Sequence, residues 1–544
     1  MESEHSLTVI IPALKKGVAF QDDLVKKLLG VSLIQRAINK ALELGANKKQ
    51  IHLLTDSEEI RLIAQRNRVG VLWNTKLTHE QLTDSKEVTN YLKQAVAKSE
   101  FTLLLSPYAP LLSKELLEKA QQKLISSGKE LLKPVQLIKK QVYDENKKLY
   151  STYTSLFSAK SEIHSVESKA FVLLYSKLLL QPELDRPKIL PYPISHDLLE
   201  IESYQDWWVC EKLLTRKRII FRVIGNEQVG MGHIYRTLSL AHEISDHEIL
   251  FVSDQQNTVA VNQLAGYDYW LGIYDQKYIV ENIIELKPDL VINDILSSTH
   301  KDVIPLQEKG IKVINFEDLG EGAKLANLTI NEMYDEPLFE GRNILWGYHY
   351  FFMRDEFNHA TPQKFMEKVD TILLTFGGTD QHNLAKIVYQ EIKYICSERG
   401  IHIHIVAGVG YKNYQLLKKE INNEENVTLT RKTGVISSIM EKSQLAIVSN
   451  GRTVYELAHM NIPAIVISQH KREETHKFAN KNNGFIHFCL FNKETNIKNI
   501  INIILKLIDD SSYRRMLYNN IEKHNFKSNK SKVLKLIYDE LSMQ

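Results

Sequence analysis

One segment of the chain combines a histidine with glycines at a spacing that could do chemistry on a phosphorylated ligand. The run FRVIGNEQVGMGHIYRTLSLA places Gly225, Gly230 and Gly232 between an apolar stretch and a helical pattern that begins near His233. Glycines let the backbone approach a phosphate, and a helix start offers it unpaired N–H groups and a positive dipole. His233 is therefore a candidate catalytic base, although a histidine that only caps its own helix is an equal alternative.

A second glycine turn follows another strand-like run. The sequence TFGGTDQHN places Gly377 and Gly378 at the strand end, with Asp380 and Asn383 just beyond them. Asp and Asn are favoured as helix N-caps, and successive backbone N–H groups in such a turn can bind an anion. The turn is therefore a second candidate phosphate site.

A third turn of the same kind lies in SNGRTVYELAHMNIPAIVIS. Here Ser449, Asn450 and Gly451 end a strand-like run, while Thr453 and Glu456 lie in the first turns of the following helix. The carboxylate could accept hydrogen bonds from ribose hydroxyls while the helix start binds a diphosphate. Alternatively, it only stabilises its own helix through the macrodipole. Three such turns at three strand ends favour a ligand site.

Apolar strand-like runs alternate with amphipathic helical stretches along the whole chain, which is typical of βαβ units on parallel sheets. Three series are visible, starting at LTVIIPA, RIIFRVIG and DTILLTFGG. We therefore predict the α/β fold class with domains at 1–215, 216–360 and 361–544. Open parallel sheets bind ligands at the carboxyl ends of their strands, which places a cleft between the second and third domains.

The composition excludes several classes of protein. The chain has 544 residues, 43% hydrophobic and 25% charged, with a net charge of only +3, so nothing calls for a nucleic-acid partner. Its three cysteines are far apart and odd in number, which favours a reducing compartment. No uncharged apolar stretch is long enough to span a membrane, and the first residues lack the order of a signal peptide. We expect a cytoplasmic protein.

From about Arg218 onward, the sequence resembles the two-domain GT-B fold of nucleotide-sugar enzymes. Within that fold it is most similar to the UDP-2,4-diacetamido-2,4,6-trideoxy-β-L-altropyranose hydrolases of pseudaminic acid synthesis. The resemblance rests on GMGHIYRTLSLA, FGGTDQHNL, YHYFFMRDEF and SNGRTVYELAHMNIPA. It implies that His233 activates a water that attacks the anomeric carbon while UDP leaves. Because UDP is a good leaving group, we expect this reaction to need no cofactor.

The resemblance also implies which residues surround the UDP-sugar. Besides the second and third turns, they are Arg222, Gly230, Gly232, Arg236 and Tyr350. Two departures put the exact sugar in doubt: Arg222 is followed by Val-Ile-Gly rather than an acidic residue, and SQHKREETHKFAN replaces an amide-containing loop. We favour sugar contacts for the charged residues of that loop, Arg472, Glu473 and His476. A GT-B glycosyltransferase, which moves the sugar to an acceptor instead of water, is the alternative.

Residues 7 to 214 resemble cytidylyltransferases that make CMP-sialic acid and related CMP-nonulosonates. The resemblance rests on LTVIIPA, LLTDSEEI with Asp56, LLLSPYAPLLSKE and LLEIESYQDWWVCEKLL. It implies a nucleotidyltransferase-like Rossmann domain that binds CTP, Mg²⁺ and a nonulosonic acid, and that forms a homodimer. The whole chain would then be a bifunctional enzyme of nonulosonate synthesis.

The nucleotide loop of this first domain departs from the family. Leu14 stands where the family has an arginine that binds the triphosphate, and Asp22 and Asp23 bring negative charge nearby. The lysines that could bind phosphate instead are Lys15, Lys16 and Lys26, together with Lys27. A lysine cannot reproduce the bidentate fork of arginine. The domain is therefore either a divergent cytidylyltransferase or a non-catalytic module.

Two glutamates are candidates for a metal site in the first domain. Glu200 and Glu202 alternate along a predicted strand, so that both side chains would face the same side and could share a Mg²⁺. The family has acidic residues at a similar place. An exposed edge strand with ordinary charge alternation explains the pair equally well.

Overall fold

The computed structural model describes residues 6–15, 20–80, 82, 85–139, 163–180, 187–195, 198–226, 229–422, 424–431, 434–489 and 493–542. The chain divides into two compact units, Met1–Thr215 and Arg216–Gln544. Among the helices in the described ranges, none is long and apolar enough to cross a membrane.

The first unit is built on a mixed sheet of short apolar strands. Its strands are β1 (Leu7–Pro12), β2 (Lys27–Leu28), β3 (Val31–Ser32), β4 (Ile51–Thr55), β5 (Gly70–Trp73), β6 (Phe101–Leu105), β7 (Leu131–Lys139), β8 (Ile163–Glu167), β9 (Phe171–Tyr175) and β10 (Ile189–Ile194). The sheet has the order β10-β7-β9-β6-β1-β4-β5, with β8 beside β7, while β2 and β3 form a separate antiparallel pair. Since β1 lies parallel to both β4 and β6, the carboxyl ends of these three strands meet at one edge.

The structure describes six α-helices in the first unit, and serine side chains cap four of them. The six helices are α1 (Leu33–Glu43), α2 (Glu58–Asn67), α3 (Lys86–Val96), α4 (Lys114–Ser127), α5 (Lys177–Leu180) and α6 (Tyr204–Leu214). The side chains of Ser32, Ser57, Ser113 and Ser203 each accept a hydrogen bond from a backbone N–H in the first turn. Such caps satisfy the N–H groups that a helix start leaves without partners.

The predicted strand through Glu200 and Glu202 is wrong. Residues 198–203 form an irregular segment that leads into the Ser203 cap of α6, so side-chain alternation does not apply to them. Glu202 is exposed and its backbone N–H donates to Asp206 Oδ2 at 3.0 Å. The segment is therefore shaped by the capping of α6 rather than by pairing in a sheet.

The second unit contains two fully parallel sheets. The strands of its first half are β11 (Arg218–Val223), β12 (Glu248–Asp254), β13 (Trp270–Tyr274), β14 (Leu290–Asp294), β15 (Lys312–Phe316), β16 (Leu328–Asn331) and β17 (Ile344–Trp346). Those of its second half are β18 (Thr371–Thr375), β19 (His402–Ala407), β20 (Val427–Arg431), β21 (Leu445–Ser449), β22 (Ala464–Ile467) and β23 (Phe485–Phe488). The orders are β13-β12-β11-β14-β15-β16-β17 and β20-β19-β18-β21-β22-β23.

Helices cover both sheets of the second unit. They are α7 (Gly232–Glu243), α8 (Thr258–Leu264), α9 (Ile279–Glu285), α10 (His300–Gln307), α11 (Leu384–Glu398), α12 (Tyr414–Glu420), α13 (Ser437–Met440), α14 (Arg452–His459), α15 (Lys493–Asp509), α16 (Ser511–Ile521) and α17 (Asn529–Ser542). Parallel strands buried on both faces read as continuous apolar runs, as β21 does with five buried residues. The predicted α/β class, with a two-domain GT-B arrangement after the first unit, is confirmed.

The last helix returns from the second half to the first. Val533 and Ile537 of α17 are buried in the core that also contains Phe221 and Ile314 of the first half. Lys530 Nζ lies 2.6 Å from Asp355 Oδ1 and 3.2 Å from Glu243 Oε1. The predicted third domain of 361–544 therefore includes a helix that packs on the preceding half. The chain crosses between the halves twice, which ties them together.

Replacing Ile537 by Ala should destabilise the second unit. The side chain is fully buried, and removing such a group costs about 2–5 kcal/mol because the surroundings close the cavity only partly. Differential scanning calorimetry should show a lower transition for the second unit and an unchanged one for the first. Lys535→Ala, on the exposed side of the same helix, is the control. Equal effects of the two substitutions would show that α17 is not part of this core.

Candidate functional site

The strand ends of the two halves of the second unit meet at one cavity of about 540 Å³. Its lining residues from the first half include Gly230, Gly232, His233 and Arg236. Those from the second half include Gly377, Gly378, Ser449, Gly451, Thr453 and Glu456. These residues follow β11, β18 and β21, so the structure brings together the three turns that the sequence singled out. The cavity is large enough for a nucleotide-sized ligand.

Two glycine turns touch across this cavity. A Cβ atom on Gly378 would lie 3.0 Å from the Cα atom of Gly230, which is closer than side chains normally approach. Gly230 and Gly377 also have φ angles of +79° and +74°, in the left-handed region that glycine adopts without strain. Backbone from each half therefore reaches the cavity directly.

His233 is the second residue of α7 and is held by a buried carboxylate. Its Nδ1 lies 2.5 Å from Oδ1 of Asp294, the last residue of the neighbouring strand β14. Burial lowers the pKa of His233, and Asp294 partly opposes this shift. Burial alone would raise the pKa of Asp294, but Arg236 and His233 hold it well below its ordinary value. A neutral imidazole that donates through Nδ1 carries its lone pair on Nε2, as a general base requires.

Arg236 lies one helical turn beyond His233 and is almost completely buried. Its Nε donates to Asp294 Oδ2 at 2.7 Å, and its Nη1 donates to Glu332 Oε1 at 2.8 Å. Glu332 also accepts from Arg452, which begins α14 in the opposite half. Buried charges are stable only when they are paired, so these contacts keep the guanidinium in place.

The loop after β22 closes the other side of the cavity. Arg472, Glu473 and His476 all line it. Glu473 Oε2 accepts from the Gln469 N–H at 2.7 Å, and His476 Nδ1 lies 2.7 Å from the Asn450 carbonyl oxygen. Burial raises the pKa of Glu473 to about 7 and lowers that of His476 to about 4. This loop therefore presents polar groups whose charge states depend strongly on their surroundings.

Glu456 lies at the cavity wall in an ion pair. Its Oε1 accepts from Arg354 Nε at 2.9 Å, and Arg354 Nη1 lies 3.0 Å from Glu356 Oε1. Arg354 also lines the cavity. The pair joins the segment between the halves to α14, so Glu456 does more than stabilise its own helix.

Two predicted ligand residues lie away from the cavity lining. Arg222 faces the opposite side of its sheet, where its Nη1 lies 2.7 Å from Asp302 Oδ1 of α10. Successive residues of a strand face opposite sides, and Phe221 and Val223 already occupy the face covered by α7. Tyr350 packs against α17, with Lys532 Nζ 4.0 Å from its ring centroid. The structure thus gives both residues structural contacts instead.

Three other predicted residues support the turns rather than line the cavity. Asp380 accepts from the N–H groups of Leu384 and Ala385 at 2.7 and 2.9 Å, so it caps α11. Asn383 accepts from the hydroxyl of Tyr411. The Asn450 amide donates to the carbonyl oxygens of Glu473 and His476 at 2.6 and 3.0 Å.

Sequence reasoning missed three residues of the charged network: Asp294, Glu332 and Arg452. Asp294 ends the run DLVIND, and Glu332 directly follows β16, so both lie at carboxyl ends of parallel strands. Arg452 directly follows Gly451 of the third turn. The rule that placed the cleft at these strand ends could also have pointed to all three.

In the first unit, the lysines predicted to bind CTP have other partners. Lys15 Nζ lies 2.9 Å from Asp22 Oδ1 and 3.2 Å from Glu59 Oε2. The Lys15 N–H donates to Asp56 Oδ1 at 2.7 Å. The Lys26 ammonium lies over the Tyr204 ring, 5.0 Å from its centroid. Lys16 lies outside the described residues.

The residues predicted to hold Mg²⁺ do not fit a metal site. Glu200 Oε1 accepts from Ser168 Oγ at 2.6 Å and from the Lys169 N–H at 2.8 Å, so this carboxylate braces the turn before β9. Glu202 does not share a strand face with it. In the portion of the chain that is described, no three His, Cys, Asp or Glu residues are grouped as metal ligands would be.

Known proteins are similar to parts of this chain. Residues 371–536 match the Glycosyltransferase family 28 C-terminal domain. Over 267 residues, the chain is 26% identical to an uncharacterized protein of Methanocaldococcus jannaschii, covering 45% of this chain and 54% of that protein. The chain thus matches about half the length of this archaeal relative. Over 258 residues, it is 26% identical to the UDP-2,4-diacetamido-2,4,6-trideoxy-β-L-altropyranose hydrolase of Campylobacter jejuni, covering 46% of this chain and 91% of that enzyme. The predicted resemblance to this hydrolase is confirmed.

A solved structure of CMP:2-keto-3-deoxy-manno-octonic acid synthetase in complex with CTP is also similar. It covers 38% of this chain and 98% of its own, with 10% identity and a TM-score of 0.29. No function follows from similarity at this level. The resemblance of the first unit to cytidylyltransferases stays a prediction.

The raised pKa of Glu473 predicts a pH-dependent stability. The folded protein binds this proton more tightly than the unfolded chain, because burial raises the pKa from 4.5 to about 7. The resulting stabilisation is fully present below pH 4.5 and is lost as the pH rises through about 7. Between pH 5 and 8 the wild type should therefore lose on the order of 2–3 kcal/mol of its free energy of unfolding through this group. Glu473→Gln, which cannot titrate, should not show this loss.

Calorimetry of the second unit at several pH values measures this difference. Glu391→Gln, which changes an exposed carboxylate of α11, is the matched control and should follow the wild type. If the Glu473 variant also followed the wild-type pH profile, Glu473 would titrate normally and its burial would have no electrostatic consequence.

Proposed function

We propose that the second unit hydrolyses a UDP-activated diacetamido-trideoxy sugar to UDP and the free sugar. The observation that carries the proposal is the His233–Asp294 pair in the same cavity as the glycine turns of the opposite half. One half then supplies a base, and the other supplies backbone N–H groups for a diphosphate. The similarity to the Campylobacter jejuni hydrolase supports this substrate class.

The chemistry follows from this division. His233 Nε2 takes a proton from water as the water oxygen forms a bond to the anomeric carbon. The bond between that carbon and the diphosphate oxygen breaks, and its electron pair leaves with UDP. Asp294 stabilises the imidazolium that forms, while N–H groups at Gly377, Gly378 and the start of α14 face the developing negative charge. Since the leaving group is already a stable anion, the residues need not supply a general acid.

The alternative proposal is a glycosyltransferase. The match of residues 371–536 to a glycosyltransferase domain supports it, and that range contains the two turns proposed to bind UDP. Because the range does not include His233, the match says nothing about the base. An acceptor hydroxyl in place of water would use the same base. Dependence of UDP release on an acceptor distinguishes the two reactions.

Phosphorus NMR of the UDP-diacetamido-trideoxy-altropyranose should show UDP release by the intact protein without any acceptor. His233→Ala should reduce the rate by about 10²–10⁴-fold, the usual contribution of general base catalysis. His300→Ala is the matched control, because His300 is an exposed histidine of the same half paired with Glu321. If release required an acceptor, the enzyme would be a transferase; if His233→Ala kept full activity, another group would be the base.

For the first unit, we propose a nucleotidyltransferase-like module that does not transfer CMP. The observation that favours this proposal is the double ion pair of Lys15, a lysine of the predicted nucleotide loop, with Asp22 and Glu59. The carboxylate of Glu200 is likewise occupied by hydrogen bonds within the protein. Cytidylyl transfer, the nonulosonic acid substrate and the homodimer remain the competing proposal for this unit.

Isothermal titration calorimetry with CTP and Mg²⁺ tests the module. We expect no binding tighter than about 1 mM, because the triphosphate would have to displace two carboxylates from Lys15. A calorimetric unfolding transition of the first unit is the control that this unit is folded, and UDP, titrated into the same sample, is the control for the proposed nucleotide site of the second unit. Micromolar CTP binding that Lys15→Ala abolishes would instead establish a nucleotide site in the first unit.

A further inference from the structure

A continuous series of charged contacts joins the two halves of the second unit to His233. Arg452 of the second half donates to Glu332 of the first half. Glu332 Oε1 accepts from Arg236 Nη1 at 2.8 Å, and Arg236 Nη2 donates to Asp294 Oδ1 at 2.5 Å. Asp294 in turn binds His233 Nδ1. Glu332 and Asp294 are fully buried and Arg236 nearly so. Because water cannot replace a lost partner there, the loss of one contact affects the charges beside it.

Three further contacts hold the Arg452 side chain against the first half. A Cβ atom on Gly232, the residue just before His233, would lie 3.1 Å from Arg452 Cδ. Arg452 Nη2 donates to the Phe352 carbonyl oxygen at 3.2 Å, and the guanidinium lies 4.3 Å from the Phe351 ring centroid. Arg452 also lines the cavity, directly after the turn proposed to bind UDP. Any movement of the second half relative to the first must therefore shift or break these contacts of Arg452.

Glu332 is the residue on which the two arginines converge. Within the described residues, its Oε2 atom is buried and has no hydrogen-bond partner, so both contacts depend on the single oxygen Oε1. Glu317, also fully buried, lies beside the network, 3.9 Å from Arg236 Nη1. Burial and the neighbouring Glu332 raise the pKa of Glu317, while Arg236 and Arg472 lower it.

We propose that Glu332 is a positioning residue that couples the position of Arg452, in the opposite half, to the orientation and proton affinity of His233. The inference rests on the proposed function of His233 as the base. It assigns to Glu332 a role that requires no contact with the substrate.

The sign of the effect follows from the charges that face His233. These are Asp294, which raises its pKa, and Arg236 and Arg472, which lower it. Without the charge of Glu332, Arg236 is compensated only by Asp294 and by the more distant Glu317, so the surroundings of His233 become more positive. Glu332→Gln should therefore lower the pKa of His233. Arg452→Gln leaves Glu332 to Arg236 alone and should raise it.

The first experiment measures His233 directly in the full-length protein. Carbon-13 labelling of histidine Cε1, with the signal assigned by His233→Gln, gives its titration curve by NMR. We expect Glu332→Gln to lower the midpoint by about one pH unit and Arg452→Gln to shift it the opposite way. Glu321→Gln, an exposed glutamate of the same half, is the matched control and should leave it unchanged. Shifts in one direction for both variants, or none, would overturn the proposal.

The second experiment measures UDP release by the same proteins. Both single variants should lower kcat by about 10–100-fold, the scale of a misplaced catalytic group. The kcat of the double variant should be no lower than that of the more impaired single variant, because both substitutions remove the same contact between Arg452 and Glu332. Independent, multiplying losses would overturn the coupling. If Glu332→Gln does not fold, Arg452→Gln, whose side chain borders the open cavity, still tests the link.

The two experiments separate the inference from the proposed function. Opposite shifts of the His233 titration without any UDP release by the wild type would support the coupling and refute the hydrolase. UDP release by the wild type without those shifts would support the hydrolase and refute the coupling. A loss of thermal stability in Glu332→Gln with an unchanged His233 titration would show that Glu332 is only structural, which also overturns the inference.

Discussion

The burial of Arg236 is the constraint on which the rest of the second unit depends. A guanidinium that is 1% exposed is stable only if carboxylates surround it, and removing one partner of such a pair typically costs several kcal/mol. Its partners Asp294 and Glu332 follow or end the strands β14 and β16, so the strand order of the first half fixes the position of the charge. His233, one turn earlier on α7, shares Asp294 and is oriented by the same requirement. The imidazole proposed as the base is thus positioned by contacts that the fold requires for the buried guanidinium.

The second constraint is the close approach of the two halves. Gly230 and Gly378 meet backbone to backbone, and α17 returns to the first half to bury Val533 and Ile537. Both features place strand ends of separate sheets around one cavity, which turns of the second half line together with His233 of the first. Because neither half contains the complete site, the chemistry depends on their relative position. This dependence is why a charged contact between the halves, such as that of Arg452 with Glu332, has functional weight.

The features predicted from the sequence are those that local patterns determine. The apolar runs predicted β11, β18 and β21, and the glycines after them lie at the cavity, because a strand and its turn are encoded by neighbouring residues. The partner of a buried charge is not local: Asp294 is separated from His233 by 61 residues, and Glu332 from Arg236 by 96. Arg222 shows a further limit, since β11 is apolar on both faces and its sequence does not say which face carries the site. The strand through Glu200 was wrong because alternating charges also occur in a segment that leads into a capped helix.

Hydrolysis and glycosyl transfer make the same demands on most of this site. Both need a neutral base, the role proposed for His233 beside Asp294, and both need N–H groups for the departing diphosphate. What differs is only the hydroxyl that approaches the anomeric carbon, so the choice between the reactions must lie in the part of the cavity beyond the base. Arg472, Glu473 and His476 line that cavity together with His233, and their loop departs from the family that the rest of the unit resembles. The specificity of the enzyme is therefore to be sought in the 469–476 loop, whereas its catalytic machinery is shared.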